Sequence, residues 1–192
     1  VSPVLNSTDT RDNLVMRRFQ FETQEDYPLD LYVVHKDGLK KPDRVFVTVL
    51  DQRMWEESLT MLGSKFDKAF ADVKLPPANE TAFHGLEQML TNSDGAAFVL
   101  FAPRGYGPTQ WSQDPKTLTH LRRRFILLGQ THEGQAVWDV RRALQAVRTL
   151  DGFQDAPLAL IAQRQLAGVA LVASLFEPKI ARVELSELPA SL

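Results

Sequence analysis

One stretch restricts the possible folds more than any other: residues 156–176, Ala156-Pro157-Leu158-Ala159-Leu160-Ile161-Ala162-Gln163-Arg164-Gln165-Leu166-Ala167-Gly168-Val169-Ala170-Leu171-Val172-Ala173-Ser174-Leu175-Phe176. Its first part is a short unbroken apolar run, the pattern of a parallel strand covered on both faces. Gln163, Arg164 and Gln165 interrupt it. The run that follows is apolar almost all round and rich in Ala and Leu, so it reads as a helix buried on more than one side. A buried strand turning sharply into a buried helix is the central joint of an α/β domain.

The rest of the chain must supply the layers around that joint. At 192 residues it suits one domain with a sizeable core. The formal net charge is −2 and the pI ≈ 6.1, with no basic face and no basic stripe interleaved with aromatics, so no nucleic-acid partner is expected. Arg122-Arg123-Arg124 is too short to alter this and reads as a solvated patch or as partners of carboxylates. There is no cysteine, which excludes disulfides and cysteine metal sites. No two of His35, His84, His120 and His132 stand at an i, i+4 spacing, so no metal site is expected. No cofactor motif is present. No apolar run approaches the ~20 residues of a membrane span, so no membrane partner is expected either. The chain begins at Val1 without Met or a signal-peptide pattern, which points to processing or trimming. Nothing in it separates a cytosolic from an exported location.

Residues 1–12 are polar and read as a flexible lead-in, leaving 13–192 as a single domain. Leu14 to Glu22 and Leu29 to His35 alternate apolar and polar side chains around Gln24-Glu25-Asp26, the pattern of an antiparallel hairpin. Arg44 to Leu50 and Ala96 to Ala102 are strands apolar on both faces. Between them, Trp55 to Leu62 is expected to be helical up to Gly63. Lys65 to Pro77 is ambiguous as far as the stop at Pro76-Pro77, and Asn79 can cap a helix through Leu90. Asn92-Ser93-Asp94-Gly95 is a turn. Pro103 to Lys116 is a loop dense in Gly, Pro, Trp and Tyr, and Leu118 to Leu128 is partly helical. Thr131 can cap a helix from about Gly134 to Leu150 with Val137, Val140, Leu144 and Val147 on one stripe. Lys179 to Leu185 is a last strand. Strands alternating with helices after a leading hairpin predict an α/β fold: a mostly parallel sheet with helices on both faces.

In such a sheet the cleft lies beyond the carboxyl ends of the strands. Asp51-Gln52-Arg53, 103–109, 130–134 and Gln163-Arg164-Gln165 all fall there. The ordered set Val-Leu-Asp-Gln-Arg-Met-Trp (49–55), Arg104-Gly105-Tyr106-Gly107-Pro108-Thr109, Leu128-Gly129-Gln130-Thr131 and Trp138-Asp139-Val140-Arg141-Arg142-Ala143-Leu144 resembles the α/β-hydrolase superfamily, and within it the acetyl xylan esterase branch, over roughly Leu14 to Leu192. In that superfamily the strand-to-helix turn carries the nucleophile in a Gly-x-Ser-x-Gly elbow. The resemblance implies that Gln165 occupies the serine position and that Leu166, with Gln52 or Arg53, supplies the oxyanion-hole N–H groups. It places Arg104, Tyr106 and Gly107 in the cleft loop. Gln163 and Ala167 then replace the elbow glycines, so the backbone at residue 165 is expected to be relaxed. An amide cannot attack an ester as Ser or Cys does. The acid and histidine of a triad should follow later strands and have no matching positions before Leu192, so the domain reads as ending before the last strands of a complete hydrolase. Ser174 and Ser186 read as structural, and His132 is the one histidine near the cleft.

Two functions follow as expectations. One is a non-catalytic α/β-hydrolase-like domain, a pseudo-enzyme or a structural or binding module. The other is a carbohydrate esterase of the acetyl xylan type represented by an incomplete chain. Tyr106 and Trp111 can line a cleft for a small ester or carbohydrate ligand. The weaker reading of Arg104-Gly105-Tyr106-Gly107 as a phosphate loop lacks the Gly-x-Gly-x-x-Gly spacing; the local reading has Arg104 paired nearby. The outer edge of the last strand is expected to be used by another chain or copy, by the returning N-terminal segment, or by a further part of the same protein.

Overall fold

The computed structural model describes residues 1–93, 95–112 and 114–189. Among these residues seven strands form one mixed sheet: β1 (Val4–Arg11), β2 (Leu14–Gln24), β3 (Tyr27–Lys36), β4 (Arg44–Val49), β5 (Ala96–Phe101), β6 (Leu158–Gln163) and β7 (Ile180–Ser186), in the spatial order β1-β2-β3-β5-β4-β6-β7. The first three strands run antiparallel to their neighbours, while β5, β4, β6 and β7 are mutually parallel. The α/β expectation holds.

The lead-in expected over residues 1–12 is instead mostly strand. β1 pairs with β2 from Val4↔Gln20 to Arg11↔Leu14. Asp12 and Asn13, at φ 47 and 65, both take the left-handed conformation of a tight two-residue hairpin turn, which Asp and Asn tolerate better than other side chains. Polarity hid the strand because β1 is an edge strand whose residues are mostly exposed. The N-terminal segment therefore closes the edge opposite β7 rather than covering β7.

Among the described residues five α-helices complete the layers: α1 (Gln52–Ser58), α2 (Glu80–Asn92), α3 (Pro115–Leu127), α4 (His132–Val147) and α5 (Gln165–Ser174). A π-helical turn, Leu59–Gly63, extends α1. Alternation along the strands sorts the core into two faces. Val45, Val47, Val49, Val99, Leu158 and Leu160 meet α4 and α5 on one side. Tyr32, Leu100, Trp55, Phe66, Phe70 and Phe83 form the other side with α1 and α2. The ambiguous stretch 65–77 has no helix or strand, yet it plugs the second face with Phe66, Ala69 and Phe70. Asp94, in the expected turn at 92–95, lies outside the described residues, as does Gln113 in the long loop. Caps fall where the sequence placed them: Asn79 accepts from the Ala82 N–H at 3.0 Å, and Thr131 from the Gly134 N–H at 2.9 Å. Helix α5 is buried at Leu166, Ala167, Gly168, Val169, Ala170 and Ala173, but Leu171 is exposed. Among the described residues, no helix is long and apolar enough to cross a membrane.

Candidate functional site

From β4 the chain crosses to β5 on one side, and the next strand, β6, lies on the other. That reversal is the place where open α/β sheets form a crevice beyond the strand ends. Asp51 follows β4 and Arg164 follows β6, so both stand at the crevice floor.

The turn into α5 is strained, but not where the sequence placed it. Arg164 has φ 52 and ψ −132, a conformation that costs a non-glycine side chain of the order of 1–3 kcal/mol. Gln165 is the exposed first residue of α5 and is absent from the positive-φ residues. The expectation of a relaxed residue 165 is therefore met there, while the strain sits one residue earlier. A nucleophile elbow puts its reactive side chain on the strained residue between strand and helix, and here that residue is Arg164, not Gln165. The next residue's N–H is then that of Gln165, and Leu166 is a buried core residue of α5. Spacing from the glycine pattern could not place the turn, because neither glycine is present to anchor it.

Arg164 is fastened in place. Its Nε donates to Asp51 Oδ2 at 2.6 Å and its Nη2 to Asp51 Oδ1 at 2.9 Å, a bidentate pair. Nη1 reaches Gln163 Oε1 at 3.3 Å, and the Arg164 N–H donates to the Ser186 carbonyl at 3.0 Å. Asp51 is also the cap of α1, accepting the Met54 N–H at 2.9 Å. Burial on its own would raise the Asp51 carboxyl; Arg164 together with the Met54 and Arg53 N–H groups outweighs that and holds it below its ordinary range. The Arg53 N–H, expected as an oxyanion donor, faces this carboxylate, and the Arg53 side chain pairs outward with Glu57 at 2.8 Å. The Gln52 side chain ties α1 to the cleft loop, donating through Nε2 to Glu56 at 2.9 Å and accepting the Gly107 N–H on Oε1 at 3.0 Å.

One wall of the crevice is the loop after β5. Arg104 anchors it, with a partner 35 residues away rather than a local one. Its backbone N–H, Nε and Nη2 all donate to the fully buried Asp139 of α4, at 3.0, 2.8 and 2.6 Å. Thr23 donates to the same carboxylate at 2.6 Å, and Arg104 Nη1 reaches Gln24 Oε1 at 2.9 Å. The loop can then turn sharply: Gly105 has φ +84, and a Cβ on it would meet His132 Nε2 at 2.9 Å. Gly107, at φ +56, has Ala102 and Trp55 equally close.

Tyr106, Trp111 and His132 line the cleft with Gln110, Leu118, Leu121, Arg122 and Gln165, around a volume of about 340 Å³. The His132 ring stacks on Tyr106 at 5.4 Å and lies 4.8 Å from Trp111, which stacks on Phe125 at 5.4 Å. His132 Nε2 is 3.2 Å from the Arg104 carbonyl; an acceptor there fixes the proton on Nε2. This contact and the ring stacking brace the loop. The Tyr106 hydroxyl, beside the Gln165 amide, is pushed up to about 12, first by burial and then by the charges of Glu133 and Asp51. Among the described residues, no group of three His, Asp or Glu side chains converges as metal ligands. Sequence reasoning placed the cleft, Tyr106 and Trp111, but gave no role to Asp51, Arg164 or Asp139. The one signal for Arg164 was a charge set inside an otherwise apolar strand-to-helix joint.

Sheet order, helix placement and the strained turn after β6 define the fold of the α/β-hydrolases. Solved structures of esterases share it. The first is a protein of Bacteroides fragilis NCTC 9343, provisionally named an acetyl xylan esterase, with a TM-score of 0.66 at 14% identity over 95% of this chain and 47% of that one. A cold-adapted esterase from an Arctic intertidal metagenomic library gives 0.58 at 12% identity over 96% and 65%. The glucuronoyl esterase of Solibacter usitatus gives 0.59 at 12% identity over 95% and 50%. This chain thus spans about half to two thirds of the length of these structures. No family model matches the sequence, and no curated protein matches it.

Proposed function

We propose that this chain is a non-catalytic α/β-hydrolase-like domain whose crevice binds a small carbohydrate- or ester-like ligand. The observation that carries the reading is the residue at the strained turn. A guanidinium is protonated at every accessible pH and has no lone pair to offer a carbonyl carbon. It is also locked to Asp51 by two hydrogen bonds. The cleft is lined by the Tyr106, Trp111 and His132 rings beside the amides of Gln110 and Gln165, a mixture of apolar and polar groups suited to such a ligand.

The second reading, an esterase, is favoured by the esterase names of the structures that share the fold. Two measurements decide between them. The purified chain is expected to hydrolyse short acyl esters at the background rate and to take no label from a fluorophosphonate probe. Stoichiometric labelling of a single serine, with turnover abolished by the same reagent, selects the esterase.

A further inference from the structure

Helix α3 stands off the body of the molecule. None of its residues is buried; only its inner stripe, Leu118, Leu121 and Phe125, is half-buried, against the cleft and Trp111. Its far end is apolar and open: Ile126, Leu127 and Leu128 are 66%, 84% and 73% exposed. The chain turns back there at once, with Gly129 at φ 68 and the Gln130 N–H donating to the Phe125 carbonyl at 2.9 Å. A Cβ on Gly129 would meet nothing within 4 Å, so the helix end is a protruding tip. Just behind it come Arg122, Arg123 and Arg124, all exposed and without an ion pair among the described residues. From Pro115 to His132 the charged side chains are Lys116 and these arginines, with no Asp or Glu, in a chain whose net charge is −2. One basic residue in the last turn would serve the helix dipole; three in succession exceed that need.

We propose that the end of α3 is a membrane-surface anchor: Ile126, Leu127 and Leu128 dip into the boundary between headgroups and acyl chains, and the arginines meet anionic lipid headgroups. Successive helical residues lie about 100° apart around the axis, so three in a row point to three sides of the helix. A protein groove takes one stripe at i, i+3, i+4 and i+7 and would leave part of this tip in water. A fluid apolar layer surrounds it on every side. The arginines are consecutive too, and form a collar four residues, or about 6 Å, behind the tip. Interfacial helices enter this boundary by about 5–10 Å, so tip and collar reach acyl chains and headgroups together. The sequence expectation of no membrane partner rested on the absence of a spanning run, which has no bearing on a surface contact. Ile126, Leu127 and Leu128 do not line the crevice, so the anchor does not depend on what the crevice binds.

The test measures flotation of the full chain with vesicles of phosphatidylcholine alone and with vesicles holding about one third phosphatidylserine. The anionic vesicles should hold the chain at least roughly ten-fold more strongly, and raised salt should remove the difference. Arg122 also lines the crevice, so the charge is tested at its neighbours. Arg123→Gln with Arg124→Gln should weaken binding roughly twenty-five-fold, at about five-fold for each arginine near an anionic surface. Ile126→Ser with Leu127→Ser, also at exposed positions, should weaken it at least as much. Because the chain has no cysteine, Leu127→Cys can carry a single environment-sensitive dye, whose emission should shift to the blue on anionic vesicles. Equal binding to neutral vesicles, or none to either, overturns the inference. So does unchanged binding of the serine variant, or a dye that stays in water while the chain is bound. Binding to polyglutamate as strong as to the vesicles also overturns it, and makes α3 a docking site for an acidic protein.

Discussion

At the scale of single residues, the decisive contrast is between what Arg164 costs and what holds it. Its backbone is strained, yet its side chain closes a bidentate pair on a carboxylate that also caps α1. Asp51→Asn keeps an oxygen for the cap and removes the charge; Asp51→Ala removes both. The alanine variant should therefore lose about 1 kcal/mol more, the ordinary worth of a cap, in urea denaturation. The pair also sets a pH dependence. The folded Asp51 carboxyl is held below its unfolded range, so its contribution is complete above about pH 4 and is lost as pH falls through the lower folded value. The stability of Asp51→Asn should accordingly fall less steeply in acid than that of the parent chain. An identical acid slope would show that the pair contributes nothing.

At the scale of elements, the cleft loop is held by one buried cluster that joins β2, the loop after β5 and α4. Removing a single partner of a buried pair leaves an uncompensated charge and costs about 3–5 kcal/mol. Arg104→Met and Asp139→Leu should therefore each be strongly destabilising alone, whereas the double replacement should recover a large part of the loss. Urea midpoints of the two single variants and the double variant give the coupling directly; additive losses would refute it. The sequence showed Arg104 and Asp139 each within a motif, but their 35-residue separation carries no periodicity that announces the contact. Helix caps were easier to read because Thr131 and Asn79 act within three residues of themselves.

At the scale of the molecule, β7 stands at the end of the sheet with nothing beyond it among the described residues. Its face packs through Ile180 and Leu185, while Val183, at 36% exposure, and Arg182 remain open to solvent. An edge of this kind presents unpaired N–H and C=O groups to any strand that fits. We expect another strand, from a second copy or a different polypeptide, to lie against this edge, so that the β7 amides pointing away from β6 are protected from hydrogen exchange as the chain is concentrated. A dilution series read by exchange and by sedimentation tests this. Free exchange of those amides in a chain that stays monomeric and soluble at high concentration would refute it.

The sequence by itself determined the layers. Unbroken apolar runs fix β4, β5 and β6 as interior strands, and the stripe of α4 fixes the face it buries, because these patterns are local and answer directly to burial. The resemblance over 49–55, 104–109, 128–131 and 138–144 led to the right fold. Tertiary structure alone decided three things. It made residues 4–11 a strand, since their pairing depends on β2 rather than on their own polarity. It put the elbow at Arg164 rather than Gln165, since that choice depends on where β6 stops pairing with β7, at Gln163↔Ser186. It also joined Asp51 to Arg164, 113 residues apart, because only the folded sheet brings the ends of β4 and β6 side by side.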